Sequence, residues 1–128
     1  MRRIVLMMAL SVAVLAVSAG AVFAANQIIR CAGIPCYATG DHDLVYERVG
    51  NRLNDEIYLR GGDDQVRANR YTNDRDKIYG SSGYDLIYVN DGDTHDRIRG
   101  GKGNDQCYVD AKVEVVGGCS EIFYPPRR

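Results

Sequence analysis

Between Asp43 and Tyr108 the apolar residues stand singly among polar ones, and the same short pattern returns seven times. An aspartate is followed by any residue, an apolar residue, and then tyrosine or arginine. The copies are Asp43-Leu44-Val45-Tyr46, Asp55-Glu56-Ile57-Tyr58, Asp64-Gln65-Val66-Arg67, Asp76-Lys77-Ile78-Tyr79, Asp85-Leu86-Ile87-Tyr88, Asp96-Arg97-Ile98-Arg99 and Asp105-Gln106-Cys107-Tyr108. Each offers two or three residues of strand character centred on its apolar residue, and Gly, Asn, Asp and Ser fill the intervals as turn formers. No helical period of apolar residues runs between 37 and 110. Strands this short do not hold as isolated hairpins. Stacked in parallel along an axis, with the central apolar residues inward in a column, they do. The pattern predicts an all-β parallel solenoid of about three to four coils.

The aspartates are spaced by 12, 9, 12, 9, 11 and 9 residues. The alternation makes two copies one coil, so stacked residues are 20 or 21 apart. One edge then carries Asp43, Asp64, Asp85 and Asp105, and the other Asp55, Asp76 and Asp96. The turns ahead of Asp64, Asp85 and Asp105 are compact and rich in glycine, whereas those of the other edge are longer and poorer in it. The position after each apolar residue (Tyr46, Tyr58, Arg67, Tyr79, Tyr88, Arg99, Tyr108) points outward by strand alternation. Ladders of tyrosine and arginine on the two faces stabilise stacked strands; the alternative is a surface for a cell-surface glycan or protein.

The ends of the chain read differently. Arg2 and Arg3 precede an uncharged apolar run from Ile4 to Val22, closed by Val22-Phe23-Ala24. Residues 1–24 are expected to be a signal peptide cleaved after Ala24, with a secreted, extracellular product; the alternative is an uncleaved membrane anchor, since about 20 apolar residues can span a bilayer. The membrane enters only through this export signal. Residues 25–36 are expected to cap the start of the solenoid (37–110). Residues 111–128, with Val113, Val115, Val116, Ile122 and Phe123, are expected to cap its end and run into a frayed tail.

Without the leader the chain has 14 basic and 17 acidic side chains, a net charge of −3. That balance argues against nucleic acid as a partner. Thirteen of the acids are aspartate and four glutamate, a bias toward turns or short-armed metal ligands. Four cysteines in a small exported domain read as disulfides, for which three pairings are open. Proximity in sequence favours Cys31 with Cys36 and Cys107 with Cys119. A zinc site is the competitor, but the spacing is not Cys-x-x-Cys and neither histidine is near. The loops fail the EF-hand pattern, with Tyr79 or Lys102 where glycine or glutamate is required. His42 and His95 lie in turns without a nucleophile, and paired aspartates without a cleft do not make a glycosidase. The chain is therefore expected not to be an enzyme.

The stretch Gly100-Gly101-Lys102-Gly103-Asn104-Asp105-Gln106-Cys107-Tyr108 fits the nonapeptide G-G-x-G-x-D-x-U-x, with cysteine in the apolar place. Gly80 to Tyr88 fits with Ser81 for one glycine, and Leu59 to Arg67 keeps Gly62 and Asp64. The run resembles the RTX, or haemolysin-type calcium-binding, repeat. The resemblance implies a right-handed parallel β-roll with calcium between stacked turns, held by turn carbonyls and by the sixth-position aspartate. It assigns metal binding to Asp64, Asp85 and Asp105, with Gly62, Gly83 and Gly103 shaping the turns and Asp43 as a weaker member. Asp55, Asp76 and Asp96 match the aspartate but not the glycine turn; they bind through Asp74, Asp91 or Asp93, or simply solvate their edge. The resemblance carries over neither toxin nor protease activity, for which about 104 residues leave no room. The reading is an exported calcium-binding β-roll, non-enzymatic. The alternatives are a metal-free solenoid acting in adhesion or protein interaction, and a small exported hydrolase.

Overall fold

The computed structural model describes residues 27–33, 35–50 and 52–126. The expected leader, residues 1–24, lies outside them. Among the described residues no helix is long and apolar enough to cross a membrane.

The described residues wind through eleven strands: β1 (Gln27–Cys31), β2 (Pro35–Tyr37), β3 (Asp43–Glu47), β4 (Glu56–Tyr58), β5 (Gln65–Arg67), β6 (Lys77–Ser82), β7 (Leu86–Tyr88), β8 (Arg97–Lys102), β9 (Asp105–Tyr108), β10 (Val115–Gly117) and β11 (Cys119–Phe123). A 3-10 turn, Lys112–Glu114, precedes β10. Odd strands form one sheet in the order β1-β3-β5-β7-β9-β11, and even strands the other, in the order β10-β8-β6-β4-β2. All pairings are parallel. The fold is the all-β parallel solenoid that the spacing predicts. The seven aspartate phrases supply β3 to β9, and the strands before and after continue both sheets.

Register follows the phrase. In the odd sheet Ile29, Val45, Val66, Ile87, Cys107 and Ile122 stack as direct partners, and in the even sheet Cys36, Ile57, Ile78, Ile98 and Val115 do. The central members are sealed from solvent, each buried aliphatic side chain contributing about 1.5–3 kcal/mol. A second inward column stands two residues further on, with Ala38 and Leu59 in the even sheet and Ala68, Val89 and Val109 in the odd one. Together with Cys31 these columns make up the buried hydrophobic core among the described residues, so each coil is only half a core until its neighbour covers it.

Both disulfides pair neighbours, Cys31 with Cys36 and Cys107 with Cys119. They lie near the two ends of the stack, where a coil has a partner on one side only. Outward, tyrosines form the expected ladders: Tyr37, Tyr58 and Tyr79 stack on one face, and Tyr88, Tyr108 and Phe123 on the other, with ring centroids 4.4–5.0 Å apart. Arg67 sits over the Tyr88 ring at 5.5 Å.

Candidate metal centre

The repeated aspartates do not sit in the turns as solvated caps. Each begins a strand or immediately precedes one, with its side chain turned inward, and Asp43, Asp55, Asp64, Asp76, Asp85, Asp96 and Asp105 are all at most 2 % exposed. What accommodates them is a ladder of bonds between coils. The Asp43 N–H donates to Asp64 Oδ1 at 2.7 Å, the Asp64 N–H to Asp85 Oδ1 at 3.0 Å, and the Asp85 N–H to Asp105 Oδ1 at 3.0 Å. On the opposite edge the N–H groups of Asp55 and Asp76 donate to Oδ1 of Asp76 and Asp96, both at 2.8 Å. Charge-assisted bonds of this kind are stronger than neutral ones, and each fixes one carboxylate oxygen.

The other oxygen is left over. Oδ2 of Asp64, Asp76, Asp85, Asp96 and Asp105 is buried without a hydrogen-bond partner, as are Oδ2 of Asp74 and Asp91 and Oε1 of Glu114. Asp43 differs: its Oδ2 accepts from both the amide and the hydroxyl of Thr39 at 2.7 Å, and Oδ1 is the unpartnered atom. Apart from interactions of Asp55, the histidine–carboxylate contacts among the described residues are His95 with Asp93 on the longer-turn edge at 3.2 Å and His42 with Asp63 on the glycine edge at 3.9 Å. Neither is made to one of the seven stacked aspartates.

Burial without a cation raises their pKa. Asp76 is pushed up to about 9 and Asp96 to about 8, chiefly by burial and against the backbone N–H each accepts. Asp85 and Glu47 are pushed up to about 7, and Asp64 and Asp91 to about 6, for the same first cause. Desolvation penalises the charged form, and neighbouring carboxylates add to the penalty. These groups favour a proton, or a metal ion in its place.

The two edges meet this demand differently. On the glycine edge the turns before Asp64, Asp85 and Asp105 lie flat on one another. Gly62, Gly83 and Gly103 have φ of 99°, 128° and 133°. A Cβ on Gly83 would fall 1.7 Å from the carbonyl oxygen of Gly62, and one on Gly103 equally close to that of Gly83. Gly80 and Gly100 leave room for the carboxylates themselves, since a Cβ there would lie 2.6 Å from Asp85 Oδ2 and 2.7 Å from Asp105 Oδ2. Ser81 and Arg60, at the place of Gly101 in earlier coils, hold φ of 74° and 70°; the turn keeps its left-handed residue even where glycine is lost. This edge therefore offers one buried carboxylate per layer, beside closely stacked backbone.

The longer-turn edge brings carboxylates together in threes. Glu47, Asp55 and Asp76 form one group, Asp74, Asp76 and Asp96 a second, Asp93, Asp96 and Glu114 a third, and Asp74, Asp91 and Asp93 a fourth; in each, one oxygen per residue lies within 4.8 Å of the others. Asp76 and Asp96 each belong to two groups, so three of them make a shared row along the stack. Among the described residues no such group includes Asp43, Asp64, Asp85 or Asp105. Glu47 and Glu114 terminate the row, and neither is marked by the aspartate phrase. Glu47 had a visible signal: it occupies the second inward column, where later coils have Ala68, Val89 and Val109. Glu114 had none, because its segment carries no copy of the phrase.

Oxygen-only, anionic, partly flexible donor sets suit calcium. The unpartnered buried oxygens mark where a cation would replace the missing hydrogen bonds, so the residues present fit that ion.

Comparison with known families agrees with this chemistry. The model of the RTX calcium-binding nonapeptide repeat matches residues 49–70, 71–107 and 94–111, in 4 copies. No curated protein and no solved structure matches the chain. Residues 49–111 belong to the RTX calcium-binding nonapeptide repeat family.

Proposed function

We propose that this protein is an exported, non-enzymatic β-roll whose fold is completed by calcium bound between stacked turns on both edges. The observation that carries this reading is the ladder formed by Asp64, Asp76, Asp85, Asp96 and Asp105, each with one oxygen held by the preceding coil's amide and the other buried without a hydrogen-bond partner. A buried, unpaired carboxylate oxygen costs on the order of 1–3 kcal/mol or more, and a ladder of them is tolerable only if something positive is shared. On the glycine edge the carboxylates of Asp64, Asp85 and Asp105 serve as ligands, with carbonyls of the turns shaped by Gly62, Gly83 and Gly103; Asp43, already bound to Thr39, is a weaker ligand. On the other edge the groups around Asp76 and Asp96 bind through carboxylates alone.

Export supports the same reading. Extracellular calcium is plentiful, the two disulfides require an oxidising compartment, and the apolar run of residues 1–24 has the form of a leader. The ligands are structural: a cation at each layer joins coil to coil.

Calorimetric titration of the metal-free protein with calcium, followed by thermal melting, tests this. Binding of several ions per chain with a rise in melting temperature is the expected result. A chain that binds no calcium at millimolar concentration yet melts cooperatively would be a metal-free solenoid, suited to adhesion or protein contact through its tyrosine ladders.

A further inference from the structure

Glu114 lies beyond the matched repeats, in the 3-10 turn that leads into β10. It is completely buried. Its Oε2 accepts the N–H groups of Asp110 and Ala111 at 2.8 and 2.9 Å, which fixes the carboxylate, and its Oε1 is buried with no hydrogen-bond partner. Asp96 is built alike, with Oδ1 on the Asp76 N–H, Oδ2 unpartnered and the residue fully buried. Half-buried Asp93 completes the set; its Oδ1 accepts the His95 N–H at 2.7 Å, and its Oδ2 accepts the N–H of Asn73. The three present oxygens within 4.8 Å of one another. Two of the carboxylates, of Asp96 and Glu114, are thus each fixed by backbone amides through one oxygen and left with the other buried and unpartnered.

We propose that Asp93, Asp96 and Glu114 hold a calcium-sized hard cation that latches the C-terminal segment onto the last coils of the solenoid. The inference rests on the calcium reading above and adds a site outside the nonapeptides, with a ligand from a segment that does not repeat. Oxygen donors alone favour a hard cation over zinc or copper. The geometry makes the ion a link between elements: Asp93 and Asp96 belong to the turn between β7 and β8, whereas Glu114 enters from the segment between β9 and β10. β10 pairs with β8 through only two register partners, with a register shift between them. The covalent tie, Cys107 to Cys119, lies on the other side of that weak strand. An ion at Glu114 fastens the stretch that the disulfide leaves loose.

The test is hydrogen–deuterium exchange of residues 112–123, with calcium and with chelator, on the full chain recovered from an exporting host. Glu114→Gln keeps an acceptor for the two amides and removes the charge; Asp93→Asn, at a more exposed ligand, guards against a folding defect in the first variant. Calcium should slow exchange in this segment of the parent protein. It should not do so in Glu114→Gln or Asp93→Asn, and titration should find one ion fewer in each. If the parent binds calcium but both variants keep its full stoichiometry and the calcium-dependent slowing, the latch is wrong and the β-roll reading stands. If the parent binds no calcium, both fall.

Discussion

The glycine edge and the longer-turn edge start from the same aspartate, in the same register, with the same amide-to-carboxylate ladder. They differ in what surrounds it. On the glycine edge, turns stack backbone on backbone with no space for a Cβ, and the layer contributes one side-chain oxygen that is free to bind. On the other, two or three more residues per turn admit Asp74, Asp91 and Asp93, and the layers meet through side chains. One edge is specified by the absence of side chains and the other by an excess of charged ones. Stability should therefore fail in different ways at the two edges, by collision on the first and by repulsion on the second.

The largest effect should come from testing collision directly. Gly83→Ala or Gly103→Ala combines a left-handed φ with a backbone contact of 1.7 Å and should cost about 4 kcal/mol or more. Gly92→Ala, on the longer-turn edge at φ of 105°, meets nothing nearer than Thr72 Cγ2 at 3.7 Å and should cost only the conformational term, about 1–2 kcal/mol. Urea denaturation in chelator compares the three; equal losses would erase the distinction between the edges.

Removal of calcium comes next. At a hundredfold excess over its dissociation constant each independent site contributes about 2.7 kcal/mol, so chelation should lower the melting temperature sharply. The Asp76→Asn, Asp96→Asn pair, which strikes the shared row, should lose more bound ions in calorimetry than Asp85→Asn, Asp105→Asn. The reverse order would move the principal sites to the glycine edge.

The pH dependence of the metal-free protein should have an unusual sign. A buried aspartate whose folded pKa lies above its unfolded value binds more protons when folded, so its contribution is present in acid and lost as pH rises through the folded pKa. With Asp64 at about 6, Asp85 and Glu47 at about 7, Asp96 at about 8 and Asp76 at about 9, the melting temperature in chelator should fall steadily from about pH 4 to pH 9. The slope is at most about 1.4 kcal/mol per pH unit for each proton involved. Asp76→Asn should flatten the alkaline part, and Asp85→Asn the part near neutrality. A metal-free protein that gains stability over this range would show that the carboxylates are charged and otherwise satisfied.

The smallest effect should be the same at both edges. Asn54 Oδ1 accepts the Arg75 N–H at 2.8 Å on the longer turns, and Asp63 Oδ1 accepts the Tyr84 N–H at 2.9 Å on the glycine turns. Alanine at either should cost about 1 kcal/mol by thermal melting, because coil-to-coil capping by a turn side chain does not depend on how the turn is built.

The fold was legible because it depends on spacing alone. A pair of phrases returning every 20 or 21 residues forces Val45 over Val66 over Ile87, and a one-residue slip would turn each strand inside out. Adjacency in sequence likewise brought Cys31 to Cys36 and Cys107 to Cys119. Tyr37 and Phe123 extend ladders read from Tyr58, Tyr79, Tyr88 and Tyr108, though neither follows an aspartate phrase. The chemistry was legible only in part. The sequence marks Asp64, Asp85 and Asp105 because glycine turns precede them, but the gathering of carboxylates at Asp76 and Asp96 depends on how longer turns fold back, which spacing does not encode. Glu114 reaches the row from a non-repeating segment and is visible only in three dimensions.

The tyrosine ladders have a practical consequence. The chain has nine tyrosines and no tryptophan, so no indole masks their emission. The Tyr58 and Tyr79 rings lie 4.7 Å apart at 8°, and those of Tyr88 and Tyr108 4.4 Å apart at 15°, each pair bridging successive coils. Rings this close couple electronically, and the coupling fades as the coils separate. The molecule thus carries a built-in optical gauge of its own axial rise on both faces, readable by near-ultraviolet circular dichroism without any label.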